Sequence, residues 1–520
     1  MKDLQQPGDI AAAKRLDVSG DLVQRQNHVL KVAYDSLTPQ RQALLGRIAC
    51  FRTPVKYEAL KALAETAEKS GATLDADLAD LIARGLLHHD TEHTRFDLHP
   101  IVRRYAYDRL AAPDRTAAHT RLRHYFAAVP EPDNVTRLED LAPVIELYHH
   151  TVRAGQFDEA FTLFRDRLTN PLFYRLGAYQ LCIDLLLALF PDGEDRPPRL
   201  TKDADQAWTL NELANSYSLS GQPRRAVPLF ERANAIQEKL SNKSNLAIGL
   251  ENVAHMAQIH IGALRAVEAN LRRSIALCRE IREESWEGVG CRELGRLLAY
   301  RGAYAESETE LTTALKMAEK EDHAVIQEVT WAYRALHKLL LLRSSNSSQF
   351  RVPSSALESA RRALELADEW ARANYPVERE YVRAHWLLGA AHRVAGQLDE
   401  AERHLHEALG RCRRISLVEF EADILIDLAR LRAVTGAPDE AQRLAEEALL
   451  ITERSGYVLQ GADAHLELAK LALARGDKAT AKEHAQKAKD LATCDGPPDY
   501  TYKVAYDESA ALLAQLGAPV

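Results

Sequence analysis

The sequence predicts an all-α fold apart from one small β-hairpin: a compact helical domain followed by a long solenoid of helix pairs. Three observations predict it. Six glycines recur at nearly one spacing: Gly221, Gly262 and Gly302 lie 41 and 40 residues apart, then Gly396, Gly436 and Gly476 lie 40 and 40 apart. Across 520 residues Gly (24) and Pro (20) are both below average usage, while Ala, Leu, Glu and Arg dominate, a composition suited to long helices. The first ~130 residues lack the repeat and contain one apolar/polar alternation around a polar tip.

Each glycine stands between two amphipathic stretches, as in SGQPRRAVPLFERA from Ser220, RGAYAESETELTTAL from Arg301, AGQLDEAERHLHEAL from Ala395, TGAPDEAQRLAEEAL from Thr435 and RGDKATAKEHAQKA from Arg475. Glycine lets the preceding helix end in a left-handed cap. A small residue follows near the start of the next helix: Ala226, Ser307, Ala401, Ala441 and Ala481. Another sits seven or eight residues before each glycine, at Ala214, Ala254, Gly295, Gly389, Ala429 and Ala469. Small residues at both places let paired helices cross closely. AGQFDEAFTLFRDRL from Ala154 is a further unit, and GAYQLCIDLLLALF from Gly177 a degenerate one. Gly302 and Gly396 are 94 residues apart, room for one more unit and a Ser-rich polar insertion expected to be mobile.

The N-terminal region reads as helices, a hairpin and a helix. Thr38 is an N-cap with Pro39 at the first helical position. Gly85 closes DADLADLIARGLL, LLHHDTEHTRFDLHP forms the hairpin, and IVRRYAYDRL the helix after it. That order makes a winged-helix domain with an expected core of Leu30, Tyr34, Leu44, Ile48, Leu60, Leu78, Leu81, Leu86, Leu98 and Ile101. The expected divisions are an N-terminal segment at 1–20, the winged helix at 21–130, degenerate repeats at 137–200, a superhelix at 201–500 with the insertion at 343–354, and a capping helix and tail at 501–520.

The repeats resemble tetratricopeptide repeats, whose usual period is 34 residues; the longer period here looks like the version common in bacterial signalling proteins. YDSLTPQRQALLGRIACF, LADLIARGLLHHD and RFDLHPIVRRYAYDRL together resemble the winged-helix domain of STAND (NB-ARC-type) signalling ATPases. In that family a His at the foot of the hairpin contacts the β-phosphate of bound ADP, and Leu98-His99-Pro100 stands at that place. The resemblance therefore makes His99 the nucleotide-sensing candidate, although Pro100 replaces the family's Asp. It also implies that this chain is the regulatory and sensor half, with a nucleotide-binding core upstream of Met1 or supplied in trans, and oligomerisation on activation.

The sequence contains no GxxxxGK[ST] loop, so the chain is expected to bind no ADP or ATP alone, to need no cofactor and to be no enzyme. His88, His89 and His93 surround the hairpin tip without a nearby cysteine, so no metal site is expected. Net charge is −8 and acidic residues interleave with the arginines after the wing, so DNA is not the expected partner. Six scattered cysteines and the lack of a long apolar run or leader pattern point to reduced thiols in a cytoplasmic protein that does not engage a membrane. The working surface is expected in the concave groove, where a protein or peptide would meet Asn211, Asn215, His255, Gln258, Arg292, Arg296, Arg430 and Lys470. Two other readings are a stand-alone repeat adaptor and a DNA-binding regulator acting through the winged helix.

Overall fold

The structure, a computed structural model, describes residues 30–64, 71–130, 134–321, 323–344 and 352–517. The segment at 1–20 and residues 345–351 of the expected insertion lie outside the described residues. Two compact units divide at Leu168/Thr169.

Unit 1 begins with helical residues 30–35, then α1 (Pro39–Ile48), α2 (Tyr57–Ala64) and α3 (Gly71–Ala83). Thr38 Oγ1 accepts from Arg41 N at 3.3 Å, the expected cap, and Pro39 opens α1. Gly85 has φ +69°, a value that favours a residue without a Cβ and ends the helical run. Strands β1 (His88–Asp90) and β2 (Arg95–Asp97) pair antiparallel, with His89 opposite Phe96. Val55 adds a bridge on the other side of Phe96, bonding it in both directions at 2.9 and 2.8 Å. Next come α4 (Pro100–Arg109), α5 (Ala112–Ala127), α6 (Ala142–Arg153) and α7 (Phe157–Leu163).

The core of this unit includes Leu44, Ile48, Leu60, Leu78, Leu81, Leu86 and Leu98, with Leu30 and Tyr34 packed at its edge. Ile101, expected in the core, is 40% exposed. His99 caps α4, so the helix turns Val102 and Ala106, one turn apart, inward in its place. Residues 137–168, assigned to the repeats from sequence, are compact with the winged helix because α6 packs along α5.

Unit 2 opens with α8 (Tyr179–Leu187) and continues as seven helix pairs. These are α9 (Asp203–Leu219) with α10 (Pro223–Lys239), α11 (Lys243–Asn252) with α12 (Leu264–Ile281), α13 (Glu284–Tyr300) with α14 (Tyr304–Lys320), and α15 (Ala324–Ser344) with α16 (Val352–Ala373). Then follow α17 (Glu378–Val394) with α18 (Leu398–Arg414), α19 (Val418–Val434) with α20 (Pro438–Ser455), and α21 (Val458–Ala474) with α22 (Lys478–Ala492), before α23 (Lys503–Gln515). All six periodic glycines have φ between +75° and +82°. The crossing residues Ala214, Ala254, Ala429 and Ala469 are buried, as are Ala226, Ala401, Ala441 and Ala481. Ser307 is buried as well, and its hydroxyl donates to Gly295 O at 2.7 Å.

The solenoid winds tightly enough to touch itself. A Cβ on Gly221 would lie 2.7 Å from Val418, one on Gly262 2.8 Å from Val458 and one on Gly302 2.7 Å from Lys503. These partners are about five repeat lengths further along the chain, a consequence of a small rotation added at every repeat. Val458 N also donates to His260 O at 2.7 Å. Successive turns of the superhelix therefore meet at these helix ends. All six cysteines are free thiols, five of them buried. Among the described residues no helix is long and apolar enough to cross a membrane.

Candidate functional site

The inward row expected to grip a ligand faces the axis of unit 2, where it meets protein. Asn215, Gln258, Arg292 and Arg296 are buried, Asn211, His255 and Arg430 half-buried, and Lys470 exposed. Every one has a partner in its own chain. Asn211 and Asn215 each donate to Glu212 at 3.3 Å, and His255 Nδ1 donates to Glu251 O at 2.8 Å. Gln258 Oε1 accepts from Asn270 at 2.8 Å, Arg292 bonds Glu293 at 2.8 Å, and Arg296 donates to Tyr333 Oη at 3.1 Å. Arg430 reaches Glu467 at 2.9 Å and Lys470 reaches Glu508 at 2.7 Å.

The signal overlooked in the sequence is a second row three residues earlier. Glu212, Glu293, Asp427 and Glu467 precede Asn215, Arg296, Arg430 and Lys470 by one helical turn, an arrangement that brings side chains together on one face. The ion pairs Glu293–Arg296, Asp427–Arg430 and Glu467–Lys470 measure 3.7, 3.4 and 3.2 Å. The row also bonds forward: Arg296 to Tyr333 and Arg430 to Glu467 both span 37 residues. Alternating acids and bases thus form a ladder along the inner face.

The ladder opens into a small cavity of about 60 Å³ between α13, α15, α17, α19, α21 and the residue before α23. Its walls include Tyr300, Trp386, Ala390, Arg393, Asp427, Arg430 and Tyr502, with leucines of α15 beneath. Trp386 Nε1 donates to Asp427 at 2.8 Å, and Arg393 ion-pairs with the same carboxylate at 3.1 Å. Arg393 Nε is buried there without a hydrogen-bond partner. Arg343 also lines the cavity. Placed in the expected mobile insertion, it instead ends α15 and is ion-paired to Asp463 and Glu508 at 2.9 and 3.0 Å. These carboxylates come from 120 and 165 residues away, so no local pattern signals the contact.

Electrostatics in this interior follow from burial and pairing. Burial, reinforced by Asp463 and Asp427, pushes the Asp423 carboxyl up to about 7. Glu467 is depressed to about 2 despite its burial because Lys470 and Arg430 stabilise its charged form. A ligand group entering the cavity meets fixed guanidinium donors, aromatic walls and an acid poised to change charge near neutrality.

In unit 1, His99 is exposed and its Nδ1 accepts from Ile101 N at 3.3 Å, capping α4. At the hairpin tip His93 Nδ1 bonds Asp90 Oδ2 at 2.8 Å, while His89 stacks on Phe96 with ring centroids 4.3 Å apart.

A family profile described as a winged helix-turn-helix domain matches residues 37–111, and one described as a tetratricopeptide repeat matches residues 206–245 and 387–416. No curated protein sequence matches the chain. Among solved structures it is similar to a signal transduction ATPase with numerous domains that carries a tetratricopeptide repeat sensor, from Pyrococcus horikoshii (15% identity, TM-score 0.35). That match covers 96% of this chain, which spans only 63% of the archaeal protein. It is also similar to a Rap protein complexed with competence and sporulation factor (12% identity, TM-score 0.46, covering 73% of this chain and 92% of the other). Aspartyl phosphate phosphatase F from Bacillus subtilis matches at 14% identity and TM-score 0.38, covering 70% and 96%. With two strands among its described residues and helices nearly everywhere else, the chain joins a winged helix-turn-helix domain to a solenoid of tetratricopeptide repeats.

Proposed function

We propose that unit 2 is a sensor that admits a protein or peptide segment to its inner cavity, and that the chain is the regulatory part of a STAND-type signal-transduction ATPase. The observation that carries this reading is the cavity itself. At about 60 Å³ it has room, in the closed winding, for the tip of one peptide side chain. The unpaired Arg393 Nε favours a ligand bearing a carboxylate or carbonyl oxygen. Entry of a ligand shifts the solenoid only if an opened winding binds it better than the closed one.

In the same reading the winged helix passes that change to a nucleotide-binding core in cis or in trans, and His99 meets the nucleotide. The chain then performs no catalysis of its own, and activation leads to oligomers. Its workplace is the cytoplasm.

The test is selection of random peptides on the purified chain, followed by calorimetry of the peptides recovered. Val394 lines the cavity at 36% exposure, so Val394→Trp fills the mouth without entering the ladder. The reading expects at least one selected peptide whose affinity falls by about 10-fold or more in Val394→Trp, a loss of about 1.4 kcal/mol. Failure to select a peptide, or equal affinity in the variant, rejects the cavity as the sensing site.

A further inference from the structure

A cluster of three imidazoles lies in unit 1. His119 comes from α5, and His149 and His150 come from α6. One nitrogen of each lies within 4.8 Å of the other two. His119 and His150 are 1% and 0% exposed, and their Nδ1 atoms face each other at 2.9 Å.

The outer nitrogens are positioned as well. His119 Nε2 bonds Tyr107 Oη at 3.1 Å, and His150 Nε2 lies 3.6 Å from Glu146 Oε2. Arg52 holds the other oxygen of that carboxylate at 3.1 Å. Two buried atoms, His150 Nε2 and Glu146 Oε2, have no hydrogen-bond partner. A metal-bound histidine characteristically presents its second nitrogen to a carboxylate, hydroxyl or carbonyl, which fixes the tautomer and the ring. His119 Nε2 meets that description through Tyr107, and His150 Nε2 faces the Glu146 carboxylate at 3.6 Å, just beyond hydrogen-bond distance.

We propose that His119, His149 and His150 form a zinc-class divalent metal site, with Glu146 and Tyr107 orienting two of the ligands. Imidazole suits zinc, nickel and copper, and three histidines leave a fourth position for water. Zinc–nitrogen bonds of about 2.05 Å in a tetrahedron separate ligand atoms by about 3.3 Å, so the facing pair opens by a few tenths of an ångström. Arg153 and Arg115 near His119, and Arg52 near His149 and His150, raise the cost of a cation here, and the one carboxylate at the cluster, Glu146, already pairs with Arg52. The bound ion would tie the last helix of the winged domain to α6.

The contrast with other histidine pairs sharpens the assignment. His385–His404 and His465–His484 also meet through Nδ1 atoms, at 2.8 and 2.9 Å. His404 Nε2, however, accepts from the Arg403 guanidinium at 2.9 Å, which fixes its Nδ1 as the donor and makes a satisfied neutral pair. His392, Glu400 and His404 form a second cluster of possible ligands, but this guanidinium occupies it.

The test uses the full chain dialysed against a chelator and titrated with zinc alone. One zinc per chain is expected at micromolar concentration, and cobalt in its place should give visible ligand-field bands without thiolate charge transfer. His149→Gln, at the half-buried ligand, should abolish the zinc-dependent rise in melting temperature while leaving the zinc-free melt unchanged. His404→Gln should keep both. His119→Gln is the second variant if His149→Gln does not fold. Sub-stoichiometric binding by the intact chain, or full binding retained in His149→Gln or His119→Gln, overturns the site.

Discussion

Arg430 of α19 donates from Nε to Glu467 of α21 at 2.9 Å, joining consecutive repeats on the inner face of the solenoid. The same guanidinium lies 3.1 Å from Asp463 and 3.4 Å from Asp427, so one cation holds three carboxylates. Sequence periodicity alone marks Arg430 as a free ligand-gripping residue. In the folded chain it is a strut.

Arg430→Met should therefore destabilise unit 2 whether or not a ligand is present. Its side chain is 13% exposed, and removing one partner of a buried pair costs about 3 kcal/mol or more. Urea denaturation gives the value. Adding Glu467→Gln should return part of the loss, since that carboxylate no longer lacks its partner. A loss below about 0.5 kcal/mol would show the ladder to be solvated, in the range of surface ion pairs.

Gly389 and Gly410 should respond to alanine with opposite signs. A Cβ on Gly389 would sit 2.7 Å from Leu405 Cγ and 3.1 Å from the Leu405 backbone nitrogen, where α17 crosses α18. Overpacking of that kind costs about 1–3 kcal/mol, more than the helix propensity gained. At Gly410 a Cβ meets nothing within 4 Å, so Gly410→Ala should stabilise by about 0.5–1 kcal/mol. Equal effects at the two sites would mean that close helix crossing is not what selects glycine at 389.

Glu251 makes stability fall with rising pH. It is fully buried, and burial raises its carboxyl to about 8 against the opposing hydrogen bond from Ser274 at 2.7 Å. A folded value above the unfolded one contributes stability that is complete below about pH 4.5 and is lost by about pH 8. Glu251→Gln keeps the neutral shape and removes the titration. The stability of the native chain relative to the variant should fall by about 1 kcal/mol per pH unit across that window. Parallel pH profiles in urea melts would refute a neutral Glu251.

His99 separates a capping role from a nucleotide role. His99→Ala removes the acceptor for Ile101 N and should cost about 0.5–1 kcal/mol, while His99→Ser restores a cap and should be near neutral. In an assembly containing the proposed nucleotide-binding core, both variants should weaken ADP binding and raise basal activity. Unchanged ADP affinity in His99→Ser would reduce the residue to a cap.

Much of the fold was legible because its causes are local. A left-handed helix end needs glycine, close crossings need Ala, Ser or Gly, and a Thr-Pro pair starts a helix. Each leaves a mark within a few residues, so the repeats, the hairpin and most of the winged-helix core could be read directly. Ile101 was misplaced because one residue of helical phase, set by the His99 cap, decides which of two neighbours turns inward. The inner row was located, but its burial was not, since pairing the Asp427 and Glu467 row with its basic neighbours required counting back one turn.

By itself the sequence determined the helix pairs, their period, the small residues where they cross and the order of winged helix before solenoid. Only the tertiary structure decided that successive turns of the superhelix touch after about five repeats, and that Arg343, Arg393, Asp463 and Tyr502 gather around one cavity. It alone brought His119 to His150, 31 residues apart on different helices. The reason is geometric. Period and phase repeat within one or two turns of helix, whereas winding is a small rotation summed over many repeats, and it leaves no mark in any single unit.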